Sequence, residues 1–317
     1  MSLDLAAIRA AHDRIRPHIK RTPVITNEAL DLVRGARLSF KCENLQAAGA
    51  FKSRGACNAV FSLSDAEAVN GVVTHSSGNH AAALARAAQL RGISAYIVMP
   101  VGAPQSKVRN VESYGGKITY CENSLHAREA ACARIAARTG AALVHPFDDL
   151  RVMAGQGTAA LELLEEVPDL DLILCPVGGG GLLCGTAVAA KALKPGIRVI
   201  GVEPAVADDV AQSFRTGRRI SIPTPTTIAD GLRTNSTGEK NLPLIQRYVD
   251  DIVTVSEEGI MAATRELCEK LRMVIEPSSA VPYAALLENK LPFAGGKTGL
   301  ILSGGNVDLA SLPWMKP

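Results

Sequence analysis

The sequence lacks the features that mark secreted, membrane-spanning or disulfide-bonded proteins. No run approaches the roughly 20 apolar residues that span a bilayer, and the N-terminal stretch MSLDLAAIRAAHDRIRPHIKR carries charges every few residues, unlike a signal peptide. The seven cysteines are an odd number and show no CxxC spacing. We therefore expect reduced, buried thiols in a cytoplasmic protein, and neither a disulfide framework nor a zinc site.

Blocks of like charge are also missing. The 34 basic and 31 acidic residues are spread along the chain and leave a net charge of +3, which favours neither nucleic acid nor an anionic membrane as a partner. With 317 residues, of which 47% are hydrophobic, the chain can bury a large core in two domains or one large one. We expect a globular protein whose partners are small molecules.

Short apolar runs alternate with helical patterns from about residue 70 onward, which is typical of parallel sheets built from βα units. One series extends from GVVTH at 71–75 to KITYC at 117–121, and a second from DLILCPV at 171–177 to GLILSGG at 299–305. No internal repeat or flexible linker separates the two series. We therefore expect two packed α/β domains with a ligand cleft between them.

A run of four glycines lies between a strand pattern and a helix pattern in PVGGGGLLCG, at 176–185. Residues without side chains let several backbone N–H groups converge on an anion, and the helix N-terminus adds a favourable dipole. We interpret the run as a phosphate-binding loop, and a tight strand-to-helix turn is the simpler alternative.

Two sequence patterns that would identify the phosphate-containing ligand are missing. The P-loop ending GK[ST] does not occur, and the dinucleotide fingerprint fails because its third glycine falls on Leu183 or Cys184. Glu203 nevertheless ends the next strand at about the distance expected of a ribose-binding acid. Nicotinamide binding therefore stays as a minor alternative.

Two other strand ends carry polar residues. In THSSGNHAAALA, the side chains of Ser76, Ser77 and Asn79 favour a helix cap whose backbone N–H groups hold a carboxylate, or a cap alone. In LILSGGNVD, Ser303 ends a buried strand, where ligands bind in open α/β folds, although a turn serine is an equal alternative.

Taken in order, these stretches resemble the fold-type II pyridoxal phosphate enzymes, and closely the serine racemase and serine/threonine dehydratase group. The matching pieces extend over nearly the whole chain and are FKCENLQAAGAFKSRGACNAV, VVTHSSGNHAAALA, AGQGTAALELLEEV, CPVGGGGLLCGTA, VEPAVADD, TIADGL, IEPSSA and LSGGNVDL. The resemblance implies a tryptophan synthase β-like fold of two open, twisted α/β domains with the cofactor between them. Residues 1–69 and 149–317 would form the large cofactor-binding domain, and residues 70–148 the small substrate-side domain.

The resemblance also implies the cofactor contacts of pyridoxal 5'-phosphate. Lys52 would form the Schiff base, because its apolar setting lowers its pKa, and Phe51 would pack against the ring. Asn79 would bond the ring hydroxyl. Ser303 would face the pyridine nitrogen and leave it largely unprotonated, which suits elimination better than transamination. The phosphate would bind the backbone of Gly178, Gly179, Gly180, Gly181 and Leu182.

The implied substrates are β-hydroxy amino acids such as L-serine, L-threonine or threo-3-hydroxyaspartate, converted to a 2-oxo acid and ammonia. Lys52 would remove the α-proton, and a cation near the β-substituent, for which Arg128 matches the family, would suit a second carboxylate. Racemisation is the alternative, and Ser77 would be its acid/base on the opposite face. Phe147 departs from the polar residue usual in a racemase and suggests a different or bulkier β-substituent. The substrate carboxylate would dock on the turn formed by Ser76, Ser77, Gly78, Asn79 and His80.

In VEPAVADD, the side chains of Glu203 and Asp209 and the carbonyl of Ala207 resemble the family's site for Mg²⁺, which Ca²⁺ or Mn²⁺ would also suit. An acidic surface turn is the alternative. The resemblance further implies a homodimer. A catalytically silent binding protein of the same fold is a lower alternative because Lys52 is present.

Overall fold

The computed structural model describes residues 2–76, 78–103, 105–291, 296–312 and 314, and Ser77 therefore lies outside the described residues. Two sheets form the framework, and their strands are β1 (Val24–Ile25), β2 (Arg37–Cys42), β3 (Val72–His75), β4 (Ala95–Pro100), β5 (Lys117–Cys121), β6 (Ala142–Leu143), β7 (Leu172–Pro176), β8 (Arg198–Pro204), β9 (Asp251–Val255) and β10 (Lys297–Leu302).

The α-helices are α1 (Leu5–Ile15), α2 (Glu28–Arg34), α3 (Lys52–Phe61), α4 (Asp65–Ala68), α5 (Asn79–Arg91), α6 (Gln105–Ser113), α7 (Leu125–Thr139), α8 (Leu150–Glu166), α9 (Gly181–Leu193), α10 (Asp209–Thr216), α11 (Asn241–Tyr248), α12 (Glu257–Leu271) and α13 (Pro277–Leu287). Short 3-10 turns span Glu43–Leu45, Ala47–Gly49, Asp230–Leu232 and Leu309–Ser311. The alternation of strands and helices confirms the predicted α/β class.

The larger sheet has the strand order β1-β2-β10-β7-β8-β9, with only the β1–β2 pair antiparallel. Successive side chains of a strand point to opposite faces of the sheet. In β7, Ile173 joins the core beneath α8 and α9, whereas Leu172 and Leu174 join the core beneath α12 and α13. Because both faces are covered by helices, the central strand β7 is buried along its whole length and apolar, as the sequence indicated.

The smaller sheet has the order β5-β4-β3-β6 and all its strands are parallel. Val72 of β3 joins the apolar cluster that contains α5, and Val73 joins the cluster that contains α7. Helix α3 packs against both α5 and α8, so it lies between the two sheets. The predicted domain boundaries stay a prediction.

A buried ion-pair network holds α3 in place two residues after Lys52. The Arg54 guanidinium donates to the carboxylates of Glu43 and Glu162, and Glu162 also accepts from Lys41 Nζ at 2.7 Å. No side chain in this network is more than 1% exposed. Removing one partner of such a network leaves an uncompensated buried charge, at a cost of about 3–5 kcal/mol. The network therefore fixes α3 against β2 and α8.

The seven cysteines are not paired with one another in the structure; Cys121 and Cys268 are partly exposed and the others are buried. Among the described helices, none combines the length and the apolar character that crossing a bilayer requires.

Candidate active site

A cleft of about 650 Å³ is lined by residues from both sheets and their connections. It lies at the carboxyl ends of β3, β7 and β10, where parallel strands present their loops to ligands. The predicted cofactor and substrate residues that line it are Phe51, Lys52, Ser76, Gly78, Asn79, His80, Arg128, Gly178, Gly179, Gly180, Gly181, Leu182 and Ser303. The structure thus brings these residues together, while their individual roles stay predictions.

Lys52 is the first residue of α3, and its side chain is half-buried in the cleft wall. Its Nζ donates a hydrogen bond to the carbonyl of Pro146 at 2.9 Å and lies 5.1 Å from the centre of the Phe51 ring. Burial lowers the pKa of Lys52 to about 8, although the negative charge of Glu276 acts in the opposite direction. An appreciable fraction of neutral amine is therefore present near neutral pH, as a nucleophile or base requires.

The loop before Lys52 is held by the segment that follows β10. Gly49 has a φ of 74°, and a side chain there would collide with Asn306. The Gly305 N–H donates to the Gly49 carbonyl and the Phe51 N–H to the Ser303 carbonyl, each at 2.9 Å. These bonds place Lys52 and Ser303 on the same wall of the cleft.

The glycine loop after β7 leaves its backbone N–H groups open. Within the described residues, the N–H groups of Gly178 through Leu182 have no protein acceptor. Gly180 adopts a φ of 96°, and a Cβ at Gly179 would overlap the ring of Phe147. Position 180 therefore requires glycine because its backbone is left-handed, and position 179 because it lies so close to the Phe147 ring. Unpaired N–H groups at the start of α9 suit a phosphate.

The turn after β3 leads into α5 through Gly78, whose N–H donates to Ser76 Oγ at 3.3 Å. Lys107 of α6 reaches over this turn, with its Nζ 3.7 Å from the position that a Gly78 Cβ would occupy. Its ammonium also forms an ion pair with Asp230 at 2.5 Å. A helix N-terminus and an adjacent ammonium make this turn suitable for a carboxylate.

Ser303 lines the cleft directly after β10. Its hydroxyl is 3.2 Å from that of Ser279, which also contacts the backbone of Gly304 through both N–H and carbonyl. Only 3% of Ser303 is exposed. A buried hydroxyl here can bond a ring nitrogen without adding a charge.

The family of the chain is decided by a comparison with family models. Residues 15–304 match the family described as pyridoxal-phosphate dependent enzyme. The chain belongs to this family.

Named relatives and a solved structure agree with this membership of the pyridoxal phosphate-dependent family. The chain is 51% identical to a serine racemase of Arabidopsis thaliana, covering 98% of this chain and 95% of that one. It is 50% identical to a β-hydroxyaspartate dehydratase of Paracoccus denitrificans, covering 96% of each. Maize serine racemase superposes with a TM-score of 0.96 at 48% identity, covering 99% of this chain and 96% of the maize chain. The predicted fold-type II architecture is confirmed.

In this pyridoxal phosphate-dependent enzyme, His75, His145 and Phe147 line the same cleft as Lys52. The ring of His145 packs edge-on against His75 at 5.2 Å and Phe147 at 4.6 Å. Burial lowers the pKa of both histidines to about 4, and the charge of Arg128 contributes at His75. Both imidazoles are therefore neutral at neutral pH. Arg128 is half-buried, and its Nε donates to the carbonyl of Ser124, the N-cap of α7, at 3.3 Å.

The predicted metal ligands lie outside the cleft lining, between β8 and α10. Both oxygens of Asp209 are buried and find no partner among the described residues. Glu203 accepts from the N–H groups of Val210 and Ala211 at 3.3 and 2.7 Å. Burial raises the pKa of Asp209 to about 7, and burial followed by the charge of Asp209 raises that of Glu203 well above its usual range. Among the described residues, no group of three or more His, Cys, Asp or Glu side chains is arranged so that it could hold a metal ion.

Two residues of the cleft escaped the sequence analysis. Glu276 lies in IEPSSA, which matched the family but received no role, and its carboxylate contacts Asn79 Nδ2 at 3.0 and 3.2 Å. Lys107 lies in a helix that showed no motif. Both are isolated charges in the sequence, and only the folded chain shows that they face the same cleft.

Proposed function

We propose that the chain catalyses pyridoxal phosphate-dependent β-elimination of β-hydroxy amino acids, such as L-serine, L-threonine or threo-3-hydroxyaspartate, to a 2-oxo acid and ammonia. The observation that carries this proposal is the lysine of lowered pKa, Lys52, in a cleft that also contains an open glycine loop. Relatives named for hydroxyaspartate dehydration and for serine racemisation support the substrate class.

The residues present fit the cofactor. The unpaired N–H groups of Gly178 to Leu182 would hold its phosphate, and Lys52 would bind it covalently. Phe51 would pack against the ring, Asn79 would bond the ring hydroxyl and Ser303 the pyridine nitrogen. When bound, the cofactor supplies an electron sink that stabilises negative charge at the substrate α-carbon.

The protein would bind and deprotonate the substrate with its own side chains. The turn from Ser76 to His80 and the Lys107 ammonium would hold the α-carboxylate. The substrate amino group would displace Lys52 from its bond to the cofactor, and the neutral Lys52 amine so released, whose pKa lies close to neutral pH, would take the α-proton. Arg128, which has no carboxylate partner among the described residues, would receive a second carboxylate on the β-carbon.

Racemisation of serine or a related amino acid is the second candidate, because the chain is 51% identical to a serine racemase. It would need a second acid/base on the opposite face of the α-carbon, and the proposal for that role is Ser77. The apolar Phe147 ring in the cleft would suit a β-substituent different from or bulkier than that of serine.

We also propose a divalent cation, Mg²⁺ or alternatively Ca²⁺ or Mn²⁺, bound by Glu203, the Ala207 carbonyl and Asp209. The two unpartnered oxygens of buried Asp209 support this, because a buried carboxylate without a donor is costly. A hard cation would neutralise both carboxylates and complete its coordination with water.

We also propose that the protein is cytoplasmic and forms a homodimer. The free thiols support a reducing compartment, and the homodimer rests on the family resemblance. Sedimentation equilibrium would give twice the 33.3 kDa chain mass for a dimer.

The activity is tested with one panel of substrates. The cofactor-loaded protein is incubated with L- and D-serine, L-threonine and both enantiomers of threo-3-hydroxyaspartate, and 2-oxo acid release and enantiomer formation are measured separately. We expect 2-oxo acid from at least one L-substrate, at a rate exceeding its racemisation. Racemisation without oxo acid would favour the second candidate, and inertness toward the whole panel would contradict both.

A further inference from the structure

Glu276 is a buried carboxyl group in the cleft that the proposed function does not use. It precedes α13, it is 3% exposed, and it lines the cleft. Burial and then the negative charge of Asp230 raise its pKa to about 7, whereas the Asn79 amide and the Lys107 ammonium act in the opposite direction. Burying a carboxyl group costs free energy, so a carboxyl group that is buried in a cleft indicates a role in the chemistry of that cleft.

The hydrogen bonds around Asn79 determine which end of its amide faces Glu276. The carbonyl of Ala48 can only accept, so the group that contacts it at 2.7 Å is the Nδ2 amide nitrogen of Asn306. The same nitrogen donates to Asn79 Oδ1 at 3.0 Å. Asn79 Nδ2 must then face Glu276, and it donates to the two carboxylate oxygens at 3.0 and 3.2 Å.

The charges around Glu276 come from three packed elements. Lys52 faces it from α3, Lys107 from α6 and Asp230 from the 3-10 turn. Lys107 and Asp230 form an ion pair at 2.5 Å and largely neutralise one another. Glu276 is therefore the negative charge that raises the pKa of Lys52 against the effect of burial.

We propose that Glu276 is a positioning residue that sets the proton affinity of the cleft: its carboxylate holds the Asn79 amide nitrogen toward the cofactor ring and favours the protonated form of Lys52. The inference rests on the proposed roles of Lys52 and Asn79. Through Glu276, the stretch IEPSSA would then have a chemical role in the cleft in addition to forming the beginning of α13.

The charge effect is measured in the cofactor-free protein. The Lys52 amine is labelled in short pulses of an acylating reagent between pH 6 and pH 10, and the labelled peptide is quantified by mass spectrometry. In the wild type the labelling midpoint should lie near the Lys52 pKa of about 8. In Glu276→Gln it should fall by about one pH unit, since removing a nearby anion disfavours the ammonium.

Two further comparisons separate charge from packing. Glu276→Asp keeps the negative charge, so its labelling midpoint should stay within a few tenths of a pH unit of the wild-type value. Glu276→Asn removes the charge, so its labelling midpoint should fall as in Glu276→Gln. The comparison of these two variants replaces the first test if Glu276→Gln does not fold. Glu239→Gln removes an exposed carboxylate at the cleft rim, which pairs with Arg219, and should not shift the midpoint.

Two results would overturn the inference: an unshifted midpoint in folded Glu276→Gln, or equal shifts in the aspartate and asparagine variants. Its failure is distinguishable from failure of the proposed function. Borohydride reduction of the cofactor-loaded wild type reports the attachment to Lys52 independently of Glu276. Attachment with an unshifted midpoint contradicts only the role of Glu276.

Discussion

Lys52 Nζ donates a hydrogen bond to the Pro146 carbonyl at 2.9 Å, which joins the start of α3 to the segment between the small sheet and α8. A carbonyl oxygen accepts a hydrogen bond but carries no full charge. It therefore offsets only part of the free-energy cost of burying an ammonium group. The low pKa of Lys52 follows from burial, against which the negative charge of Glu276 acts. The reactive amine is thus positioned by backbone from the other side of the cleft.

Replacing Lys52 by methionine should stabilise the cofactor-free protein at neutral pH. The unfolded lysine titrates near 10.5 and the folded one near 8, so wild-type stability is penalised below pH 8 and recovers as the pH rises toward 10.5. After a discount for partial exposure, we expect Lys52→Met to be more stable by about 2 kcal/mol at pH 7.

Urea unfolding of both cofactor-free proteins at pH 7 and pH 10 checks this difference. The advantage of Lys52→Met should shrink at the higher pH. An advantage that is constant or grows with pH would contradict the lowered pKa.

A side chain at Gly179 should block cofactor binding. In Gly179→Ala the added Cβ would overlap the Phe147 ring and displace the loop whose N–H groups face the cleft. We expect at least a tenfold loss of pyridoxal phosphate affinity, measured by fluorescence titration. Gly196→Ala is the matched control, since a Cβ there meets nothing within 4 Å, and affinity equal in both variants would rule out the loop as the phosphate site.

The proposed cation should reverse the effect of a mutation at Asp209. Without divalent ions, Asp209→Asn should be more stable than the wild type, because burial disfavours the charged form of the Asp209 carboxyl group. With millimolar Mg²⁺ the wild type should be the more stable, by a few degrees in Tm. Thermal unfolding with chelator and with Mg²⁺ measures both.

The control is Asp208→Asn, next in the chain, whose carboxylate already accepts from Gln212. It should respond to Mg²⁺ as the wild type does. Indifference of the wild type to both chelator and Mg²⁺ would exclude the site.

Substitution of Ser77 should separate the two candidate activities. Ser77→Ala should abolish interconversion of serine enantiomers while retaining part of the elimination from L-substrates, because only racemisation needs a second acid/base. Enantiomer formation and oxo acid release are followed in the same reaction. Equal loss of both activities would contradict the assigned role.

Much of the framework was predictable because most of its strands are buried on both faces. The runs that became β3, β7 and β10 are mostly apolar or β-branched and almost wholly buried, and each precedes a helix or a polar turn, whereas β5 is largely exposed. Strand β2 was missed, because strand patterns were recognised only from about residue 70 onward. Its Lys41 is fully buried, and the partners that permit this, Glu162 and the Thr22 carbonyl, are distant in sequence or lie on another element.

Only part of the candidate site was predictable from the sequence. The glycine run and Lys52 stand in recognisable local motifs, and the resemblance brought them together. Glu276 and Lys107 carry no local signal, because their significance depends on contacts with Asn79 and Asp230 that only the fold creates. The pKa of Lys52 likewise depends on surroundings from several elements and not on its sequence neighbours alone.

The central claim is that Lys52 is the residue that holds pyridoxal phosphate. The direct test is to load the protein with the cofactor, reduce it with borohydride, digest it and locate the added mass by mass spectrometry. The account predicts a phosphopyridoxyl group on the peptide that contains Lys52, and none in Lys52→Met. An unmodified Lys52 peptide at saturating cofactor, or an adduct on another lysine, would contradict it.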